Sequence, residues 1–318
     1  MANNSWMQWP VGYVIQNGVF VPSDWHKILF SPVLWVRFPH MLFASFLAGA
    51  FCVAATGAWY VLRNEFGPEG RLMLRMGLYL AAVLVPMQLF FGHLTGDYVH
   101  NYQPTKFAAI EGRWHDEQPA SEVLIAIPDA QHETNRFALS VPVLGSLIGS
   151  LSLHSKEVGL TDFPRDQRPP VAIPFFSFRI MVGCGLMLLF TAWFGTYLSR
   201  KGCLEHNRAL LWLIFLSFPL PFIATLTGWF TAEVGRQPWT IFGLLRTAQA
   251  VTPTLTARSA FISLTVFCTV YALIFVFGSL FIYRLLRAGP AGRLMLLAPE
   301  PHASALIPVL DPSFIARD

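Results

Sequence analysis

The chain has 318 residues, of which 54% are hydrophobic and only 13% are charged, and its formal net charge at pH 7 is +4. An ordinary soluble domain carries about 25% charged residues, so this composition excludes that class and indicates a membrane protein. The small positive excess is accounted for by Lys and Arg at the ends of membrane spans, and nothing in it indicates nucleic-acid binding.

Five apolar stretches are long enough to cross a membrane as helices. A hydrocarbon core about 30 Å thick needs roughly 20 apolar residues per span, and the stretches lie at 32–62, 72–93, 174–198, 209–231 and 260–286. All have the length of a helix, which disfavours a β-barrel. The predicted fold class is therefore all-α, a polytopic transmembrane bundle of about five spans with a long external loop.

The spans divide the chain into seven segments. In order they are an external segment, a transmembrane hairpin, a long external loop, a second hairpin, a short external loop, a last transmembrane helix and a cytoplasmic tail, at 1–31, 32–93, 94–173, 174–231, 232–259, 260–287 and 288–318. The first 25 residues lack the pattern of a cleavable signal peptide, so insertion is expected to depend on the spans.

The orientation of these segments is predicted from the short loops, because Lys and Arg collect on the cytoplasmic side. Three clusters fall on one face: Arg63, Arg71 and Arg75; Arg200, Lys201 and Arg208; and Arg284, Arg287 and Arg293. This predicts a cytoplasmic C-terminus. The four cysteines have no paired spacing, so neither a disulfide framework nor a zinc site is indicated.

The loop at 94–173 is too long to be a plain connector. Near its start it reads QPTKFAAIEGRWHDEQPA, and the alternation of Lys106, Phe107, Ile110, Glu111 and Trp114 predicts a short amphipathic helix on the membrane surface.

Two residues inside the spans have the chemistry of haem ligands. His40 lies about eight residues into the first span, or about 12 Å deep, and Met181 lies at nearly the same depth in the third. Histidine and methionine form an axial pair used for low-spin haem iron. A histidine satisfied within its helix and a methionine that only packs are the alternatives, and the spacing leaves them open.

Two charged residues lie at the outer ends of spans. Arg179 precedes Met181 by two residues and so projects to a different side of that helix. It is either an arginine that reaches the interface or a cation for haem propionates. Glu233 ends the fourth span in GWFTAEVGRQPW, where a solvated interfacial glutamate is the alternative to a functional one.

Four segments together resemble subunit I of the cytochrome bd-type quinol oxidases. In chain order they are FPHMLFASFLAGAFCVAATGAWYVLR, QPTKFAAIEGRW, FRIMVGCG and GWFTAEVGRQPW, of which GRQPW after an apolar helix is the most specific. The opening NNSWMQWPVG resembles the outer end of the family's fourth helix. The resemblance therefore implies a C-terminal five-helix portion that lacks the family's first four helices.

The resemblance implies roles for five residues at the haems. His40 and Met181 correspond to the axial ligands of the low-spin haem b, and Arg179 corresponds to the arginine beside it. Glu233 corresponds to the glutamate that ligates a high-spin haem b near haem d, and Arg236 belongs to the same signature. The high-spin haem b and haem d are expected only if the missing helices are supplied.

The resemblance also implies a quinol site in the external loop, where Lys106 and Glu111 match residues of the family. Quinol would be oxidised there, protons released outside, and electrons passed through haems to reduce oxygen to water. His115, four residues after Glu111, would share its face if the segment is helical. His93, His100, His132 and His154 are interpreted as solvated loop residues.

The implied setting is the inner membrane of a bacterium, with the N-terminal segment and the quinol loop outside. The implied partners are a second oxidase subunit, membrane lipid and a separate N-terminal four-helix segment, without which the chain alone is expected not to reduce oxygen. Two alternatives remain: a transporter or assembly factor that uses buried His and Glu, and an inactive truncated fragment. Transporters usually show repeats or broken helices at the midplane, whereas the polar residues here cluster at the outer face.

Overall fold

The computed structural model describes residues 1–150 and 152–297. The chain forms ten α-helices and three short β-hairpins within these residues. The helices are α1 (Ala2–Gln8), α2 (Trp25–Leu29), α3 (Leu34–Arg63), α4 (Gly67–Tyr102), α5 (Pro104–Glu111), α6 (Leu144–Ser150), α7 (Ala172–Arg200), α8 (Arg208–Leu216), α9 (Leu220–Val234) and α10 (Ala257–Leu297). The strands are β1 (Tyr13–Gln16), β2 (Val19–Pro22), β3 (Glu122–Asp129), β4 (Thr134–Val141), β5 (Trp239–Ile241) and β6 (Leu245–Arg246).

The predicted all-α membrane architecture is confirmed. Within the described residues, five helical segments are long and apolar enough to cross a membrane, and they are Trp25–Arg63, Gly67–Tyr102, Ala172–Arg200, Arg208–Val234 and Ala257–Pro290. Two details differ from the sequence prediction. The second span continues as helix to Tyr102, and the fourth is interrupted between α8 and α9, where Pro219 lies, with Pro221 following in the first turn of α9. Proline removes a backbone donor, which explains the interruption.

The first two spans pack closely because small residues line their contact. A Cβ atom at Gly77 of α4 would lie 2.5 Å from the carbonyl oxygen of Ala50 and 2.7 Å from the nitrogen of Ala54, both in α3. A Cβ at Gly57 of α3 would lie 2.4 Å from the nitrogen of Leu74. Small residues let helix backbones approach closely, as is common in membranes, where water supplies no hydrophobic drive.

Two apolar clusters fill the space between the spans. One joins α3 and α4 to α8 around the buried side chains of Leu74, Leu211 and Ile214. The other joins α3 and α4 to α7 around Phe51 and Leu188. Since α8 and α9 follow α7 directly, these contacts bring four of the spans together in the unit formed by residues 1–255.

The loop between α4 and α7, called the external loop after its predicted side of the membrane, forms its own small fold over the ends of these two helices. It comprises α5, the antiparallel hairpin β3–β4 and α6, and the indole nitrogen of Trp114 donates to the side chain of Asn135, 3.0 Å away. The predicted helix near Lys106 is present as α5. Residues 106–111 are all buried against the rest of the chain, so this helix is covered by protein and does not show the exposed polar face that the sequence pattern predicted.

A second unit contains α10. Within α10, Gly289 has φ 68° and ψ −178°, so two helical stretches meet there. Glycine tolerates this conformation because it has no Cβ atom. The predicted cytoplasmic tail at 288–318 lies partly in α10, and residues 298–318 fall outside the described residues.

Replacing Gly77 with Ala should destabilise the chain, because the new Cβ atom would clash with the α3 backbone. Overpacking of this kind costs about 1–3 kcal/mol. Gly49→Ala is the matched control, since a Cβ at Gly49 in α3 meets no atom within 4 Å. Thermal unfolding of the purified variants in detergent measures both. Equal midpoints for the two variants would contradict the close approach of α3 and α4.

Candidate functional site

His40 is held against α4 by Gln88. Its Nδ1 lies 3.2 Å from the carbonyl oxygen of Gln88, and its Nε2 lies 3.3 Å from the Gln88 side-chain nitrogen. Because Nδ1 donates to the carbonyl, Nε2 carries the lone pair, which is the form of histidine that binds a metal. A Cβ at Gly92 would lie 3.2 Å from Cε1 of the ring, so a larger residue there would crowd the histidine.

Met181 lies against a glycine of a different helix. A Cβ at Gly228 of α9 would be 2.8 Å from the Met181 sulfur, so a side chain at this position would require the methionine side chain to move. The contacts that position His40 therefore come from α4, and those that position Met181 come from α9. Each candidate ligand lies beside a glycine of a neighbouring helix, Gly92 for His40 and Gly228 for Met181.

These residues fit a haem by two observations. An imidazole whose Nε2 carries the lone pair and a thioether are a suitable axial pair for low-spin iron. In addition, Nη1 of Arg37 and both Nε and Nη1 of Arg236 are buried without a hydrogen-bond partner. Buried guanidinium groups with unused donors favour a nearby anion, and the carboxylates of a haem would supply that charge.

Glu233 is the centre of a half-buried polar cluster at the end of α9. It accepts hydrogen bonds from Nδ2 of Asn4 at 2.6 Å and from Nη2 of Arg236 at 2.5 Å. Nη2 of Arg37 donates to Oδ1 of Asn4 at 2.6 Å, so the asparagine joins the two charges. Burial lowers the pKa of Arg236, and the nearby Glu233 carboxylate opposes that shift.

Sequence reasoning overlooked Arg37 and Asn4. The signal for Arg37 was present, because it is a charged residue in an apolar helix only three positions before His40, and charges in spans are functional candidates. Asn4 gave no signal, since an asparagine near a chain start is unremarkable until the fold brings α1 against α9.

Lys106 belongs to the same cluster as Glu233. Its Nζ donates to Oε1 of Gln8 at 3.2 Å and to the carbonyl of Ala232 at 3.1 Å, and only 4% of the residue is exposed. Burial, reinforced by Arg37 and Arg236, lowers the pKa of Lys106 to about 7. Lys106 is therefore poised between its charged and neutral forms near neutral pH.

Glu111 faces another side of α5, away from Lys106, because five residues along a helix correspond to about 140°. Its Oε2 lies 3.8 Å from Nη2 of Arg179, and the same nitrogen is 3.4 Å from Oε1 of Glu122. Burial, and then the neighbouring Glu111, raise the pKa of Glu122 to about 9, against the opposing charges of Arg179 and Arg113. Sequence reasoning missed Glu122, although an acidic residue at the start of an apolar strand was visible.

Arg179 ties the external loop to α7. Nη1 donates to the carbonyl of Ile110 at 2.7 Å, Nε donates to Val123 at 2.9 Å and to Leu124 at 3.1 Å, and Nη2 also bonds Val123. The resemblance implied a position beside a haem, whereas the partners that the structure gives this guanidinium are loop carbonyls and the two glutamates. Its place as a haem-side cation stays a prediction.

A cleft of about 220 Å³ opens beside this cluster and is lined by Glu111, Trp114, His115, Glu133 and Asn135, among others. The expectation that His115 continues the helical face of Glu111 is wrong, because α5 ends at Glu111 and Gly112 turns the chain with φ 66°. The turn nevertheless brings both residues to the cleft. His100, interpreted as a loop residue, instead lies in α4, 2.7 Å from a carboxylate oxygen of Glu157.

The family model "Cytochrome bd terminal oxidase subunit I" matches residues 1–290 of this sequence. The chain belongs to the cytochrome bd oxidase subunit I family. Cytochromes are haem proteins, so the donor chemistry described above agrees with family membership. The transporter alternative loses its support, because the family accounts for nearly the whole chain.

The chain is similar to a curated bacterial protein and to a solved bacterial structure. The chain is 32% identical to "Cytochrome bd ubiquinol oxidase subunit 1" of Bacillus subtilis (strain 168) over 90% of its own length and 63% of the relative's. The structure matches a chain of "The structure of bd oxidase from Geobacillus thermodenitrificans" with a TM-score of 0.81 and 27% identity, and it covers 91% of this chain and 66% of that one.

A third relative is "Cytochrome bd-II ubiquinol oxidase subunit 1" of Escherichia coli (strain K12), which is 29% identical over 91% of this chain and 69% of its own length. The chain thus spans about two thirds of the length of these relatives. This agrees with the expectation of a partial match to the family.

Replacing Arg179 with Lys should loosen the external loop, because an ammonium group cannot replace the forked donors of the guanidinium. Each buried carbonyl left without a donor costs about 1–3 kcal/mol. Faster limited proteolysis between residues 112 and 171 is the expected result. Arg200→Lys, an exposed position at the other end of α7, is the control. Unchanged cleavage together with reduced haem content would show instead that Arg179 serves only a haem.

Proposed function

We propose that this chain is a haem-binding portion of subunit I of a terminal oxidase that oxidises quinol and passes electrons through haems to oxygen. The observation that carries the proposal is the hydrogen bond from Lys106 to the carbonyl of Ala232, the residue before Glu233. It joins the proposed quinol loop directly to the proposed haem ligand at the end of α9. Family membership and the ligand chemistry of His40 and Met181 support the same function.

His40 and Met181 would hold a low-spin haem b, with Arg37 and Arg236 as cations for its carboxylates or those of a neighbouring haem. Such a group would supply a one-electron acceptor. The chain's own contribution is to orient His40 through the Gln88 carbonyl, and to leave room at Gly92 and Gly228. Arg179, two residues from Met181, would add positive charge on the same helix.

Glu233 would ligate a high-spin haem b, in an assembly that also supplies the other family helices and haem d. Its carboxylate is already ordered by Asn4 and Arg236. A buried carboxylate is costly unless it is paired, and these partners lower that cost. Oxygen reduction by this chain alone is not proposed.

Quinol would be bound at the external loop, where the cleft gives access to Glu111. Glu111 would accept a proton from a quinol hydroxyl, as a carboxylate placed within hydrogen-bond reach of its substrate can do. Lys106, with its pKa near neutrality, would respond to charge changes at Glu233 through the shared cluster.

The proposed setting is the inner membrane of a bacterium, with the N-terminal segment and the loop outside and the C-terminus in the cytoplasm. The excess of Lys and Arg in the short loops supports this orientation. The proposed partners are a second oxidase subunit, membrane lipid, quinol and a four-helix segment corresponding to the rest of the family's fold.

Met181→Leu should convert the low-spin haem to high spin, because leucine preserves packing volume but offers no ligand atom. Reduced-minus-oxidised spectra of the purified protein measure the change. Met187→Leu, an exposed position on the same helix, should leave the spectrum unaltered. A low-spin spectrum that survives Met181→Leu would refute the ligand assignment, and absence of any haem from the unaltered protein would favour an inactive fragment.

Glu111→Gln should slow quinol oxidation by about a hundredfold, since the amide cannot accept the proton. Artificial electron donors that bypass the loop should remain effective in the same membranes. Glu69→Gln, at the start of α4, is the control outside the loop. Equal loss with quinol and with artificial donors would argue against a quinol site at Glu111.

A further inference from the structure

The external loop contains two buried carboxyl groups, and both are close to the guanidinium group of Arg179. Glu111 and Glu122 expose 4% and 9% of their surface. Nη2 of Arg179 lies 3.8 Å from Glu111 and 3.4 Å from Glu122. Oε2 of Glu111 is buried and has no hydrogen-bond donor, although an ionised carboxylate in such a place needs one.

The charges around Glu122 come from three places. Glu111 in α5 adds a negative charge, and Arg113 just after α5 and Arg179 in α7 add positive charges. On the opposite strand its partner in the register is Val141, and α6 has the sequence LGSLIGS, so neither Val141 nor α6 brings an ionisable side chain, and Arg136 of the same strand pairs instead with Asp129. Two buried carboxylates side by side repel each other, and a shared proton removes that repulsion.

We propose that Glu122 is the protonated partner of Glu111: its carboxylic acid donates a hydrogen bond to the Glu111 carboxylate and so positions and preserves the base that receives the quinol proton. This rests on the proposed quinol site at Glu111. It adds a residue that sequence motifs do not assign and states the protonation of the pair. Glu122 acts through Glu111, because Glu111 lines the cleft and Glu122 does not. Its chain neighbours Ser121 and Val123 do line the cleft.

The proton balance of the pair is simple. Before reaction it holds one proton, on Glu122, and one negative charge, on Glu111. When one quinol O–H bond breaks, its proton forms an O–H bond on Glu111, and one electron leaves the quinol for the one-electron acceptor that a haem would supply. The pair then holds two protons, and loss of one to the external water through the cleft restores the starting state. The second O–H bond breaks in a repeat of this step after Glu111 has lost the first proton, so that one quinol gives one quinone, two protons and two electrons.

The pH dependence follows from the sign of the shift. Burial and Glu111 raise the pKa of Glu122 from its ordinary value of 4.5 to about 9. Below about pH 9 the acid is intact and supports Glu111, and above it the proton is lost and two carboxylates oppose each other. Between pH 4.5 and about 9 the folded chain binds more protons at Glu122 than the unfolded chain does. The contribution of Glu122 to stability therefore falls as the pH rises through this range.

Infrared spectroscopy of the full-length chain in detergent at pH 7 tests the shared proton without any need for quinol. A carbonyl stretch of a protonated carboxylic acid is expected, and Glu122→Gln should remove it. Glu133→Gln is the matched control in the same loop, because Arg165 and Arg168 pair with Glu133 and hydrogen bonds from them lower its pKa. A spectrum without this band, or a band that survives Glu122→Gln, overturns the inference.

Quinol oxidation in membranes tests the positioning role. Glu122→Gln keeps a neutral hydrogen-bond donor, so the rate at pH 7 should stay within about twofold, and the decline near pH 9 should disappear. Glu122→Leu removes the donor and should lower the rate about tenfold, as expected for one lost hydrogen bond. A wild-type pH profile in both variants overturns the positioning role, provided that Glu111→Gln slows the reaction. If Glu111→Gln has no effect while the infrared band behaves as stated, the proposed quinol site fails and the proton-sharing pair stands.

Discussion

The cost of removing charge from water organises this protein. Most of the chain consists of helices that fit a hydrocarbon layer, and a charge there is tolerated only with a partner. Several charges accordingly collect where α1, α5 and the end of α9 meet, and hydrogen bonds hold each of them. Asn4 links Arg37 to Glu233, and the Ala232 carbonyl holds Lys106. A second group around Arg179 obeys the same rule.

These two groups of charges contact different faces of α5, although the residues involved are close in the sequence. Lys106 and Glu111 are five residues apart on one short helix, yet Lys106 faces Glu233 and Glu111 faces Arg179. One side of α5 is therefore part of the haem-end cluster, and the other is part of the cleft. A loop that contacts both places would couple the proposed proton release at the cleft to charge at the proposed haem ligand.

Close helix packing positions the candidate haem ligands. The α3–α4 contact depends on glycines, and it fixes His40 against Gln88 and Gly92. The α7–α9 contact likewise places Met181 beside Gly228. Because helix backbones meet without intervening side chains, the candidate ligands are positioned by rigid elements, which is the condition that a pre-organised site requires.

The sequence by itself determined the five spans, the helix at α5 and the family, because apolar run lengths and GRQPW depend only on local order. It could not show that Glu122 approaches Glu111, or that Arg179 bonds the hairpin carbonyls. Those contacts join residues more than fifty positions apart, or across a turn set by Gly112, and a positive φ changes where the following residues point. Burial, which sets the protonation of Glu122, arises only when strand, helix and loop close over it.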